Sequence, residues 1–220
     1  MIYLYHHLGL GDHFICNAIV RHYCGKHDLV RLFCKKHNIK SVQFMFSDIN
    51  NISLIEVNTD ADVHEFLRRN PGNLAYLCFS TILTKTFDEM FYNMAGLNFD
   101  DRWNKFFIPR DRFKENELID KFNVRNKEYV FVHDDPSRGF TIDNKYLENK
   151  LIVRPDKAIT PNACDYISLI ENAKEVHCIN SSFRILVDHL TTTGSLYFHL
   201  YPRRTTDSDI PYTKKNWITL

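Results

Sequence analysis

The chain has 220 residues, 44% hydrophobic and 25% charged, with a formal net charge of +1. That length holds one large domain or two small ones around a sizeable core, and the balanced charge gives no basic field for nucleic acid, which is not expected as a partner. No apolar run is long enough to span a bilayer, and the first residues lack the basic and apolar regions of a secretory leader.

Six cysteines, at positions 16, 24, 34, 78, 164 and 178, form no C-x-x-C pair. They are expected as reduced, mostly buried thiols of a cytoplasmic protein.

Residues 2–6 favour a strand, and Gly9 and Gly11 then allow a tight turn. Asp12 or His13 is expected to open a helix over residues 14–27, with Ile15, Ala18, Ile19 and Tyr23 on one face. Strand 29–34, a short helix or irregular turn over 37–46, and strand 52–57 follow. The spacing of Val63, Phe66 and Leu67 predicts a helix over 60–69, capped by Asp60 or Asp62. Pro71-Gly72 turns the chain into a strand over 73–79. This β-α-β-α order predicts a mostly parallel sheet with helices on both faces.

The character then changes. A helix over 87–95 stops at Gly96, an aromatic and charged stretch occupies 100–112, and an amphipathic helix covers 113–122. A second α/β series follows: strand 129–133, short strand 151–153, helix 163–173, strand 176–179, a helix from Phe183 through Leu190, and strand 195–200. The tail from Tyr201 reads as polar and basic until Trp217. The expected organisation is two Rossmann-like domains, 1–112 and 113–220, facing a cleft.

Two strand-to-helix turns carry the candidate chemistry. In the first, Gly9, Gly11, Asp12 and His13 bring glycine backbone, a carboxylate and an imidazole to a helix start. A carboxylate there can take a proton from a bound hydroxyl, although aspartate also serves as a simple helix cap. In the second, Asn180, Ser181 and Ser182 lie where a strand ends and a helix begins. Backbone amides, hydroxyls and the positive end of the helix dipole there suit a phosphate, and an ordinary serine cap accounts for the stretch equally well. His133 ends a strand, and Arg138 is the single cation of the turn that follows.

Other chemistries fit less well. Phe14 stands where a dinucleotide fingerprint needs its third glycine, and the second strand ends at Cys34-Lys35-Lys36 with no ribose-binding acid. His6, His7 and His13 do not match zinc spacings, so no metal site is expected.

These turns together resemble the GT-B glycosyltransferases, most of all the heptosyltransferase-like branch. The matching residues are Leu10-Gly11-Asp12-His13-Phe14-Ile15, then Val130-Phe131-Val132-His133 with the turn through Gly139. A later helix-strand-turn-helix unit runs from Asp165 to Phe183 and contains Asn180-Ser181-Ser182. The resemblance implies that Asp12 is the catalytic base and that the Asn180–Ser182 turn wraps the diphosphate of a sugar nucleotide. One departure is plain: the family's D-T-G-x-x-H turn reads Asn180-Ser181-Ser182-Phe183-Arg184-Ile185, so its histidine is replaced by Ile185.

The resulting expectation is an inverting, metal-independent glycosyltransferase without a cofactor. It would move a sugar from a nucleotide-diphosphate donor to a glycan or other hydroxyl acceptor. Arg138, Ser181, Ser182, His133 and Asn180 would bind the donor. Asp12, with His13 as alternative, would deprotonate the acceptor beside Gly9 and Gly11. Two other readings stand beside it. One is a non-catalytic nucleotide- or glycan-binding protein on the same scaffold. The other is a different phosphate-handling α/β enzyme using Mg²⁺ on Asp134 and Asp135.

Overall fold

Parallel strands organise both halves of the chain. The computed structural model describes residues 1–78, 86–200 and 210–220, and the chain divides into two units, Met1–Pro109 and Arg110–Leu220.

The first unit runs β1 (Ile2–Tyr5), α1 (Leu10–Ile15), α2 (Asn17–Cys24), β2 (Val30–Lys35), α3 (Ile39–Met45), β3 (Ile52–Val57), α4 (Asp60–Arg69), β4 (Leu74–Tyr76), α5 (Phe87–Met94) and α6 (Asp101–Asn104). Its strands pair in parallel in the order β3-β2-β1-β4. All four residues of β1 are buried, so both faces of the sheet are covered, as a sheet built from crossovers requires. On one face Tyr3, Tyr5, Phe33, Ile55 and Val57 pack against Val63, Phe66 and Leu67 of α4.

Two local expectations change here. The first helix begins at Leu10, four residues before Phe14, and it breaks at Cys16 (φ −84°, ψ 7°) into α1 and α2. The N-cap of α4 is Thr59. Asp62 accepts from the Thr59 amide in return, completing a reciprocal capping pair. The expected strand over 73–79 is β4, and its last position, Phe79, lies outside the described residues.

Behind α1 the unit buries an ion pair. Arg102 of α6 bonds Asp88 of α5, with side chains 1% and 0% exposed. The Arg102 guanidinium also lies 4.7 Å from the Trp103 ring centre, and Tyr92 of α5 donates to the Ile15 carbonyl at 2.7 Å. Fully buried Asn17 of α2 holds the segment that follows α6. Its Nδ2 donates to the Phe107 carbonyl at 3.0 Å and its Oδ1 accepts from the Phe107 amide at 3.1 Å.

The second unit runs α7 (Arg112–Lys121), β5 (Val130–His133), β6 (Ile152–Val153), α8 (Ile167–Glu171), β7 (Glu175–Cys178), α9 (Ser182–Asp188), β8 (Ser195–Phe198) and β9 (Ile218–Thr219). The strands are again parallel, in the order β6-β5-β7-β8-β9. The helix expected over 163–173 begins as a 3₁₀ turn, Ala163–Tyr166, before becoming α8. The tail supplies β9, a strand absent from the sequence reading. It is tied down by Asp188, whose Oδ1 accepts from the Thr213 hydroxyl and from the amides of Lys214 and Lys215. Arg184 is buried against the rings of Phe198 and Trp217. All six cysteines are buried and unpaired, and among the described residues no helix is long and apolar enough to cross a membrane.

The buried ion pair gives the first prediction. Arg102→Met leaves the Asp88 carboxylate buried without its guanidinium, which costs about 3–5 kcal/mol. Urea denaturation should show that loss, and Asp88→Leu added to Arg102→Met should recover most of it. A loss below about 1 kcal/mol for the single variant would contradict the assignment.

Candidate functional site

In a parallel sheet, ligands bind beyond the carboxyl ends of the strands, where the strand order reverses. In the first unit β2 and β3 lie on one side of β1 and β4 lies on the other. The residues following β1 and β4 therefore flank that point. In the second unit β6 lies on one side of β5, and β7, β8 and β9 lie on the other. The residues following β5 and β7 flank the second such point. Gly9, Gly11, Asp12 and His13 follow β1. His133 closes β5, Arg138 follows it, and Asn180, Ser181 and Ser182 follow β7.

The first turn is held by named bonds. Asn38, buried ahead of α3, donates to the Leu8 carbonyl at 3.1 Å. A carbonyl only accepts, so His7 Nε2 donates to the Cys78 carbonyl at 2.5 Å, tying the turn to the chain beyond β4. By the same reasoning His6 Nδ1 donates to the His7 carbonyl at 2.5 Å. Gly9 is the N-cap of α1, and Asp12, three residues on, accepts the Gly9 amide on Oδ2 at 3.2 Å. This is the carboxylate half of a capping box. Gly9, Gly11 and Asp12 are all partly exposed.

His13 takes a different position from the one expected beside Asp12. Its side chain is 0% exposed, packed edge-on against the 1% exposed His6 with ring centres 4.5 Å apart. The cause is helix geometry: adjacent helical residues point about 100° apart, so a partly exposed Asp12 turns His13 inward. The His13 ring is sealed from solvent, whereas the Asp12 carboxylate of the same turn is partly exposed. Asn38, His7 and the Cys78 carbonyl were missed by the sequence reading. The signal available was the polar pair His37-Asn38 shortly after a predicted strand, at the start of the next predicted segment.

In the second turn, β5 and β7 run level, with His133 opposite Cys178, and the Ile179 amide donates to the His133 carbonyl at 3.2 Å. The His133 ring lies 4.4 Å from the Phe183 ring, so the strand end and the start of α9 are packed together. Ser181 is the N-cap of α9 with extended backbone (φ −145°, ψ 170°), yet its hydroxyl makes no capping bond. Its Oγ is buried without a hydrogen-bond partner among the described residues. The ordinary serine cap is therefore not what Ser181 forms. Ser182 is partly exposed and Asn180 exposed. Arg138 closes a 3₁₀ turn, Pro136–Arg138, that ends at left-handed Gly139 (φ 78°), and its side chain lies outside the described residues.

Asp134 and Asp135 shape that turn. Asp134 accepts from the Ile142 amide at 3.3 Å and pairs with Arg154 at 3.6 Å. Asp135 accepts from the Ser137 hydroxyl at 2.6 Å. Among the described residues, no three His, Cys, Asp or Glu side chains are grouped so that they could hold a metal ion.

Each unit also buries histidines near its turn. In the second, Glu175 accepts from His177 Nε2 at 2.9 Å, so His177 Nδ1 accepts from His199 Nε2 at 2.9 Å. Burial pushes His6 and His199 down to about 4, and pushes His13 well below its ordinary value and His177 lower as well. Each ring is thus held neutral in the fold, whereas the unfolded chain takes up protons near pH 6.5. Stability from these residues is complete above pH 6.5 and is lost as pH falls from 6.5 towards 4. Urea midpoints measured at pH 7.5 and pH 5 should drop by an amount that His6→Phe reduces. A midpoint flat across that range would contradict the burial of these rings.

No protein-family model matches the chain, and no curated protein matches its sequence. Solved structures do resemble it. A glycosyl transferase family 9 protein from Veillonella parvula aligns with a TM-score of 0.60 at 9% identity, over 100% of this chain and 86% of that one. The E. coli heptosyltransferase WaaC aligns with a TM-score of 0.45 at 10% identity, over 100% and 93% of the two chains. The chain shares the parallel α/β fold of the Veillonella glycosyl transferase along its whole length.

Proposed function

We propose that the protein is a glycosyltransferase that moves a sugar from a nucleoside-diphosphate donor to a hydroxyl acceptor such as a glycan. One observation carries the reading. Each of the two turns singled out by chemistry follows the first strand of its sheet or the strand beside it, at the reversal of strand order. The glycosyltransferase fold of the Veillonella relative supports it.

In this reading the donor occupies the second unit. Ser181 and Ser182 contribute hydroxyls and amides to the diphosphate, Arg138 contributes charge, and Asn180 and His133 line the same edge. The acceptor binds at the first turn, where Asp12 takes the proton of its hydroxyl. The acceptor oxygen bonds to the anomeric carbon as the carbon–oxygen bond to the diphosphate breaks. The electron pair leaves with the nucleoside diphosphate, whose growing charge is met by Ser181, Ser182 and Arg138. Displacement from the face opposite the leaving group inverts the anomeric centre. Arginine, hydroxyl and amide groups neutralise the diphosphate without a metal, and no cofactor is required. Buried unpaired thiols fit a reducing, cytoplasmic setting.

The replacement of the family's histidine by Ile185, which is 6% exposed and part of the apolar core, keeps a non-catalytic nucleotide-binding protein as the second reading. Thermal-shift measurements with UDP, GDP, ADP, CMP and NAD, each with and without chelator, test the proposal. One nucleoside diphosphate at 100 times its Kd should stabilise the protein by about 2.7 kcal/mol, with no effect of chelator. Arg138→Ala or Ser182→Ala should each weaken binding by about tenfold or more, or about 1.4 kcal/mol. Asp12→Asn should keep the shift and reduce turnover by about 10²–10⁴-fold. Binding without turnover selects the second reading. A shift that requires Mg²⁺ points to another phosphate-handling enzyme, and no shift, or one with NAD alone, contradicts the proposal.

A further inference from the structure

Gly9 is a glycine for a reason its own backbone does not supply. Its φ of −68° and ψ of 147° are open to every residue type. Gly96 and Gly139 differ, because their positive φ explains them directly. A Cβ built on Gly9 would meet one group within 4 Å beyond its chain neighbours. That group is the Asp12 carboxylate, with Oδ2 at 2.6 Å and Cγ at 3.6 Å. The same Oδ2 accepts the Gly9 amide at 3.2 Å.

The carboxylate therefore rests directly on the glycine. A Cβ at position 9 would force the Asp12 Oδ2 to shift from where it accepts the Gly9 amide. The turn beneath is fixed independently, by Asn38 on the Leu8 carbonyl and by His7 on the Cys78 carbonyl. A substitution at position 9 then moves the Asp12 side chain and leaves the backbone in place.

We propose that Gly9 is a positioning residue for Asp12: its amide and its missing Cβ form a seat that aims the carboxylate at the acceptor hydroxyl. The proposal deepens the assignment of Asp12 as base and rests on it for its catalytic meaning. The seat itself can be tested without a substrate.

The test is a double-mutant cycle in thermal stability between Gly9→Ala and Asp12→Ala on the full chain. With Asp12 present, alanine at position 9 gains from a stiffer unfolded chain but loses the seat, so Tm should stay nearly level or fall. With Asp12→Ala the seat no longer counts, so the same substitution should change Tm less unfavourably, by about 2–4 °C, than it does with Asp12 present, the cost of alanine at an N-cap being common to both backgrounds. Equal Tm changes in the two backgrounds would overturn the seat. The turnover arm then separates the two claims. Gly9→Ala should lower kcat by about tenfold or more with the donor KM within about twofold. An unchanged kcat in Gly9→Ala, where Asp12→Asn abolishes turnover, would overturn the positioning role. An unchanged kcat in Asp12→Asn would overturn the assignment of the base instead, whatever the cycle gives.

Discussion

Strand order is the constraint on which the rest of the structure depends. Parallel neighbours cannot be joined by a hairpin, so each connection must cross over the sheet. When the first strand of a sheet sends one crossover to its left and a later strand lies to its right, the two connections diverge. The carboxyl ends of the two central strands are then left uncovered. Here this happens beside β1 in one unit and beside β5 in the other. Every residue with a proposed chemical role closes or follows one of these strands or a neighbour.

Uncovered backbone needs other anchors, and the first turn has them in unusual density. The Leu8, His7 and Cys78 carbonyls and the Gly9 amide all bond to side chains. Beneath them the unit accepts groups that a purely structural core would avoid: two buried imidazoles in edge contact and a buried Arg102–Asp88 pair. Removing ionisable groups from water is costly unless they are paired or kept neutral. Arg102 and Asp88 take the first course, and His6 and His13 take the second. Both pairs lie in the unit that carries Asp12, and burial of the two rings disfavours their charged form.

Much of this was legible in the sequence because it depends on local patterns. Alternating buried strands and amphipathic helices defined the parallel α/β class, and β3 and α4 fall on the residues that their spacing indicates. Glycine followed by aspartate marked the first turn, and Asn180-Ser181-Ser182 marked the second. What the sequence did not reveal depends on distant partners. The inward turn of His13 follows from a helix that starts at Leu10, four residues earlier than apolar periodicity suggests. The strand β9 is only two residues long and is held by Asp188, twenty-five residues away from Thr213. The Asn38 anchor joins residues thirty positions apart. The close contact of Gly9 with the Asp12 carboxylate depends on how that side chain folds back over the turn, which no residue spacing records.

The central claim is that a nucleoside diphosphate binds the turn after β7 and the end of β5. Amide chemical-shift mapping on ¹⁵N-labelled protein tests it most directly, by titrating in the nucleoside diphosphate that stabilises the chain. The account predicts the largest shifts at residues 133–139 and 180–184. Shifts concentrated at residues 9–13, or spread over neither turn, would contradict it.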